Sequence, residues 1–137
     1  MILFQNSVIK LDYEPSTDIL QVQYPDLHGY LIPEVKHSID TLLETVRSYD
    51  VKNLLLDSSN STSSVNEVES REIASYLAAG LVNTRLKKLA RVQSLVAEAE
   101  QRTQGNIQHI QSTLALPFML RNFSDSDTAL DWLKSEE

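Results

Sequence analysis

Residues 51–59 read VKNLLLDSS. Successive residues of a strand point to opposite faces, so Leu54, Leu55 and Leu56 would bury apolar side chains on both sides of an extended segment. A strand apolar on both faces belongs in a parallel sheet covered by helices. The apolar run stops at Asp57, and the rest of the chain takes its place around this element.

Downstream comes a hydroxyl-rich loop: Ser58, Ser59, Asn60, Ser61, Thr62, Ser63 and Ser64. A helix over about 66–82 follows, with Ile73, Leu77 and Leu81 on one face beside Ala74 and Ala78, and Asn83 and Thr84 end it. Residues 89–97, LARVQSLVA, read as a second buried strand. A third helix over about 98–113 carries Ile107, Ile110 and Leu114 on one side; Gly105 weakens it by about 1 kcal/mol relative to alanine. Residues 118–123, FMLRNF, form a last strand. Ser124 or Asp125 caps a final helix in which Ala129, Trp132 and Leu133 face inward. Asp125 and Asp127 suit its positive N-terminal end.

Upstream, a helix starts near Pro33, a first-turn position that needs no N–H. Ile32, Val35, Ile39, Leu42, Leu43 and Val46 recur on it at helical spacing, with Lys36, Asp40, Glu44 and Arg47 opposite. A loop at 25–29 precedes it. Before that, VIKLDY (8–13) and DILQVQY (18–24) alternate with a period of two. The turn residues Glu14, Pro15, Ser16, Thr17 and Asp18 join them into an antiparallel hairpin. The order is ββαβαβαβα: one α/β domain over residues 1–137, with a mixed sheet, an antiparallel N-terminal hairpin, then parallel strands, and about four helices. Leu20, Val22, Leu54, Leu56, Leu95, Phe118 and Leu120 are expected to face inward.

Composition narrows the function. The chain has 137 residues, a formal net charge of -7 and no cysteine. Such an acidic surface repels phosphate backbones, so no nucleic-acid partner is expected. The missing cysteines exclude disulfides, thiolate metal sites and a cysteine nucleophile. No apolar run approaches the roughly 20 residues that span a bilayer, so no stable membrane insertion is expected. Met1 to Phe4 open apolar, without the basic flank of a signal peptide. A cytoplasmic location is expected, where the glycosylation-like Asn60-Ser61-Thr62 match is chance.

Four features carry a resemblance: the opening hairpin, the strand VKNLLLDSS, the strand RVQSLVA and the ending FMLRNFSDSDTALDWL. Over residues 8–135 the chain resembles the STAS-domain family, in its SpoIIAA-like branch. The resemblance implies a binding module. Anti-sigma-factor antagonists of this type dock on a kinase-type anti-sigma factor. Phosphorylation of a serine after the aspartate at the end of the central strand breaks the contact, and the matching position here is Ser58. Other members bind lipids or apolar ligands. The family motif runs DSSGLG directly into a helix. Here Asp57-Ser58-Ser59 is followed by five polar residues without glycine.

Each candidate site has a plainer reading beside the functional one. The Asp57-Ser58-Ser59 strand end is a phosphorylation and docking point, or a polar loop whose hydroxyls cap the second helix. Arg85, Lys87, Lys88 and Arg91 are four of twelve basic residues and form an anion-docking patch or a solvated connector. His28, His37 and His109 lack metal-ligand spacing and read as surface residues. Glu67, Glu69 and Glu72 complement a helix dipole. Trp132 is a core anchor rather than a binding residue. No hydrolase elbow and no glycine-rich phosphate loop occurs. The expected function is therefore a non-catalytic protein-interaction module without a cofactor, regulatory like the antagonists, and a homo-oligomer is compatible with it. The alternative is a carrier of a small apolar or lipid-like ligand, drawing on the apolar first helix and the segment from Leu27 to Leu31.

Overall fold

The computed structural model describes residues 1–6, 9–23, 32–59 and 67–135. The loop expected at 25–29, His28, the segment Leu27 to Leu31 and residues 60–64 lie outside them.

Six strands form one sheet: β1 (Ile2–Gln5), β2 (Lys10–Glu14), β3 (Ile19–Gln23), β4 (Asn53–Asp57), β5 (Lys88–Val92) and β6 (Met119–Phe123). Their spatial order equals their sequence order. The first three pair antiparallel and the last three continue parallel to β3. Four helices complete the ββαβαβαβα order after the additional first strand: α1 (Ile32–Ser48), α2 (Glu67–Val82), α3 (Ala97–Thr113) and α4 (Ser126–Lys134).

Register explains why β4 is apolar throughout. Leu54 pairs with Leu20 and Leu89, and Leu56 with Val22 and Arg91. Leu54 and Leu56 join the core formed with Val35, Ile39, Leu42, Leu43 and Val46 of α1 and Ile73, Leu77 and Leu81 of α2. Leu55 faces the other way, with Ile19, Ala90 and Val92, under Ala129, Trp132 and Leu133 of α4. Fully burying a leucine contributes about 1.5–3 kcal/mol, so this strand fastens two cores at once.

Three successive crossovers step in the same direction across the sheet. With right-handed connections they stack their helices on one face, and α2 indeed packs between α1 and α3. Helix α1 approaches α2 closely at Gly80, where a methyl group would overlap the Leu43 side chain. The chain then crosses to the opposite face, where α4 packs on β4, β5 and β6. Asp125 caps α4 by accepting from the Thr128 amide at 2.7 Å. At the hairpin turn, Asp18 adopts φ 53° and accepts from the Tyr13 hydroxyl at 2.8 Å. Burial first, and then Asp18, push the Tyr13 phenol up to about 12.

Two expectations need correction. Residues 2–5 form a strand, β1, which pairs with β2 through an irregular register between Ile2 and Phe4. The strand expected over 89–97 ends at Val92; beyond it the chain turns away, and Leu95, expected inside, is 80% exposed. Phe118 is buried, and Leu120 is half-buried against the core.

Trp132 seals the α4 face. Its ring tilts against Phe123 at a centroid distance of 5.6 Å, with the Lys88 ammonium 5.3 Å from its centre. Replacement by alanine should destabilise the protein by about 3–5 kcal/mol, measured by urea unfolding; a loss under about 1 kcal/mol would contradict this packing role.

Candidate functional site

Open α/β sheets bind their ligands outside the carboxyl ends of their parallel strands. Here that edge begins with Asp57 and the two serines after it. The Ser58 amide donates to the Val92 carbonyl at 3.2 Å, and the Ser58 hydroxyl donates to the same carbonyl at 2.5 Å. Asp57 Oδ1 accepts from the Ser59 amide at 3.0 Å and the Ser59 hydroxyl at 2.6 Å, a local aspartate turn. The Ser59 carbonyl in turn accepts from the Leu95 amide at 3.2 Å. The end of β4 therefore grips the loop that follows β5.

These bonds give the two serines different roles. Ser58 is 5% exposed and its hydroxyl ties β4 to β5. A carboxylate at this position would meet the Val92 carbonyl without water to screen it, so Ser58→Asp is not the fold-neutral change that a loop position would allow. Ser59 is half-buried and is the more accessible hydroxyl.

A second polar cluster shapes the same loop. Arg91 points to the face covered by α1, α2 and α3, near the end of β5, and is 5% exposed. It makes a two-pronged contact with Glu100 of α3, Nη2 to Oε1 at 2.5 Å and Nη1 to Oε2 at 3.0 Å, and also donates to Asn122 of β6 at 2.9 Å. Glu100 accepts further from the Ser94 amide at 2.8 Å and from Gln104 at 2.6 Å. Burial, the largest influence on the Glu100 carboxyl, acts upward. The bonds from Arg91, Gln104 and the Ser94 amide together outweigh it, and the carboxyl is held below its ordinary value of 4.5.

With Ser94 held by Glu100 and Leu95 by Ser59, the loop turns its apolar residues outward. Leu95 and Val96 are exposed, and Val68, in the first turn of α2 at the same edge, is 78% exposed. Leu95 and Val96 stand in the sequence as apolar residues, but they read there as strand.

The four basic residues of 85–91 do not form one surface. Arg91 is buried in the pair with Glu100. Lys88 is buried on the opposite face of β5, where its ammonium donates to the carbonyls of Trp132 at 3.1 Å and Ser135 at 2.7 Å. Arg85 is exposed, 3.5 Å from Asp50, and Lys87 is exposed at the amino edge of the sheet. Strand alternation separates neighbours that sequence had joined.

His37 and His109 are exposed. Glu72 pairs with Lys36 at 2.9 Å across the α1–α2 seam, while Glu69 is half-buried. No cluster of three or more His, Asp or Glu side chains suited to a metal occurs among the described residues. No helix among them is long and apolar enough to cross a membrane. The apolar side chains of α1 from Val35 to Val46 are packed into the core.

Comparison of the chain with protein-family models, curated proteins and solved structures gives no match.

Removing the Glu100 charge leaves the buried Arg91 without its counter-charge, with the neutral Asn122 as an acceptor. Glu100→Gln should cost about 3 kcal/mol at pH 7 by urea unfolding. A folded-state pKa below the unfolded value contributes stability that is complete above the unfolded value and is lost as pH falls through the folded one. The gap between wild type and variant should therefore hold above pH 4.5 and narrow only in more acidic solution. A gap under about 0.5 kcal/mol at pH 7, or one that is flat into acid, would contradict the pairing.

Proposed function

We propose that the chain is a non-catalytic protein-interaction module that docks a partner at the carboxyl edge of its sheet, in the manner of an anti-sigma-factor antagonist of the STAS type. The observation that carries this is the exposure of Leu95 and Val96 in the loop fastened to the Asp57-Ser58-Ser59 strand end, with Val68 also exposed in the first turn of α2. Large apolar side chains held in water by a fastened loop are disfavoured in isolation and are suited to burial in a complex. The partner is a cytoplasmic protein of the kinase-type anti-sigma-factor class, with an apolar contact surface rimmed by polar groups. Nucleic acid is disfavoured by the net charge of -7.

Regulation falls on Ser59. A phosphate there would add up to about two negative charges beside Asp57. It would break the hydroxyl bond to Asp57 and loosen the turn whose carbonyl holds Leu95. Ser58 acts as the tie beneath it.

Affinity capture from host lysate tests this with wild type, Leu95→Asp, Ser59→Asp and Ser59→Ala, with thermal melts as the folding control. Leu95→Asp should lower capture of a discrete partner about tenfold or more, and Ser59→Asp should weaken it while Ser59→Ala retains it. Equal capture by wild type and Leu95→Asp, with both folded, would overturn the proposal.

A further inference from the structure

At the opposite, amino edge of the sheet lies a cavity of about 630 Å³ between the β2–β3 turn, the starts of β4 to β6 and the end of α4. Its size falls in the range of small-molecule sites. Lys52, Lys87, Lys88 and Lys134 all line it, and no carboxylate of the described residues does. Four of the twelve basic residues of a chain with net charge -7 thus converge on one cleft. They come from three separate stretches of sequence.

The four ammonium groups are not equivalent. Lys88 spends its three donors on the Trp132 carbonyl and on the Ser135 carbonyl and hydroxyl. Those carbonyls belong to the last turn and C-cap of α4, so Lys88 neutralises the helix end that would otherwise repel an anion. Lys52 lies 3.6 Å from Asp18 and 3.5 Å from Asp50, long pairs at a part-exposed site that a stronger anion can displace. Lys87 and Lys134 are exposed and have no acidic partner among the described residues. Nearby hydroxyl donors are engaged: Ser16 donates to Glu14 and the Ser135 hydroxyl to the Trp132 carbonyl. Lys87 and Lys134 are therefore the groups left to meet a ligand. The half-exposed Met119 adds an apolar wall, with the buried Leu133 behind the cleft.

We propose that this cleft binds a small phosphomonoester, its phosphate between Lys87 and Lys134 with Lys52 turning in, and its organic part against Met119. Lysine suits this task as a point charge that pairs with a phosphate without demanding a fixed fork geometry. An apolar wall beside the charges favours an organic phosphate over the bare ion. The site is at the far edge from the docking patch, so it stands or falls independently of the proposed function.

Amide chemical-shift titration of the full chain tests it with glycerol 3-phosphate and, separately, inorganic phosphate. Co-sedimentation with phosphatidic-acid vesicles and with phosphatidylcholine vesicles distinguishes a lipid headgroup from a free phosphate ester. Glycerol 3-phosphate, or phosphatidic acid alone among the lipids, should bind saturably. For the free ester, the shifts should centre on Thr17, Lys52, Lys87 and Lys134. Lys87→Ala and Lys134→Ala should each weaken binding about tenfold with unchanged melting, since both side chains are exposed. Binding of inorganic phosphate as tight as that of the ester, binding unchanged in both variants, or no saturable binding of either phosphomonoester source would overturn the proposal.

Discussion

The structure depends on β4 lying between two parallel neighbours and being buried on both faces. Its leucines alternate between the α1–α2 core and the α4 core, so neither layer can form fully without it. Because the strands are parallel, the same pairing sorts the molecule into two chemically different edges. The carboxyl edge gathers Asp57, the two serines and the loop after β5. The amino edge gathers lysines from the starts of β4 and β5 together with the end of α4. Neither set is local in sequence, and both are products of register.

At the carboxyl edge, burial of polar groups is compensated group by group. The Ser58 hydroxyl has the Val92 carbonyl, and Arg91 has Glu100 and Asn122. A buried ion pair gains little over apolar packing, yet losing one member is costly. Such pairs enforce a conformation more than they add stability, and here the conformation enforced is the turn at Ser94 that sends Leu95 into solvent. The apolar patch is thus held in place by polar chemistry beneath it.

Much of the fold was legible because its signals were local. The alternation of the hairpin, the leucine run of β4, the helical spacing of α1 and the aspartate cap of α4 each act within a few residues. What escaped depended on distant partners. Residues 2–5 are too short a run to declare a strand until β2 is beside them. Residues 89–97 carry an apolar pattern that continues past the point where β4 and β6 stop supplying partners, so the strand ends at Val92 although the pattern does not. The basic stretch 85–91 reads as one patch until strand alternation sends Arg91 and Lys88 to opposite faces. Lys52 and Lys134 join Lys87 and Lys88 only through the sheet. Of the candidate site, the strand end at Asp57 could be found from sequence, but the burial of Ser58 and the outward Leu95 could not, because both follow from bonds between β4 and the loop after β5.

On the proposed function, the carboxyl edge is the surface that a protein partner would cover. Photo-crosslinking in the native host, with a photoreactive residue at position 95 and, as a control, at the exposed Tyr49 near the opposite edge, tests it most directly. A docking surface there should give a discrete protein adduct from position 95 that is absent from position 49. An adduct from position 49 alone, or none from position 95, would contradict it.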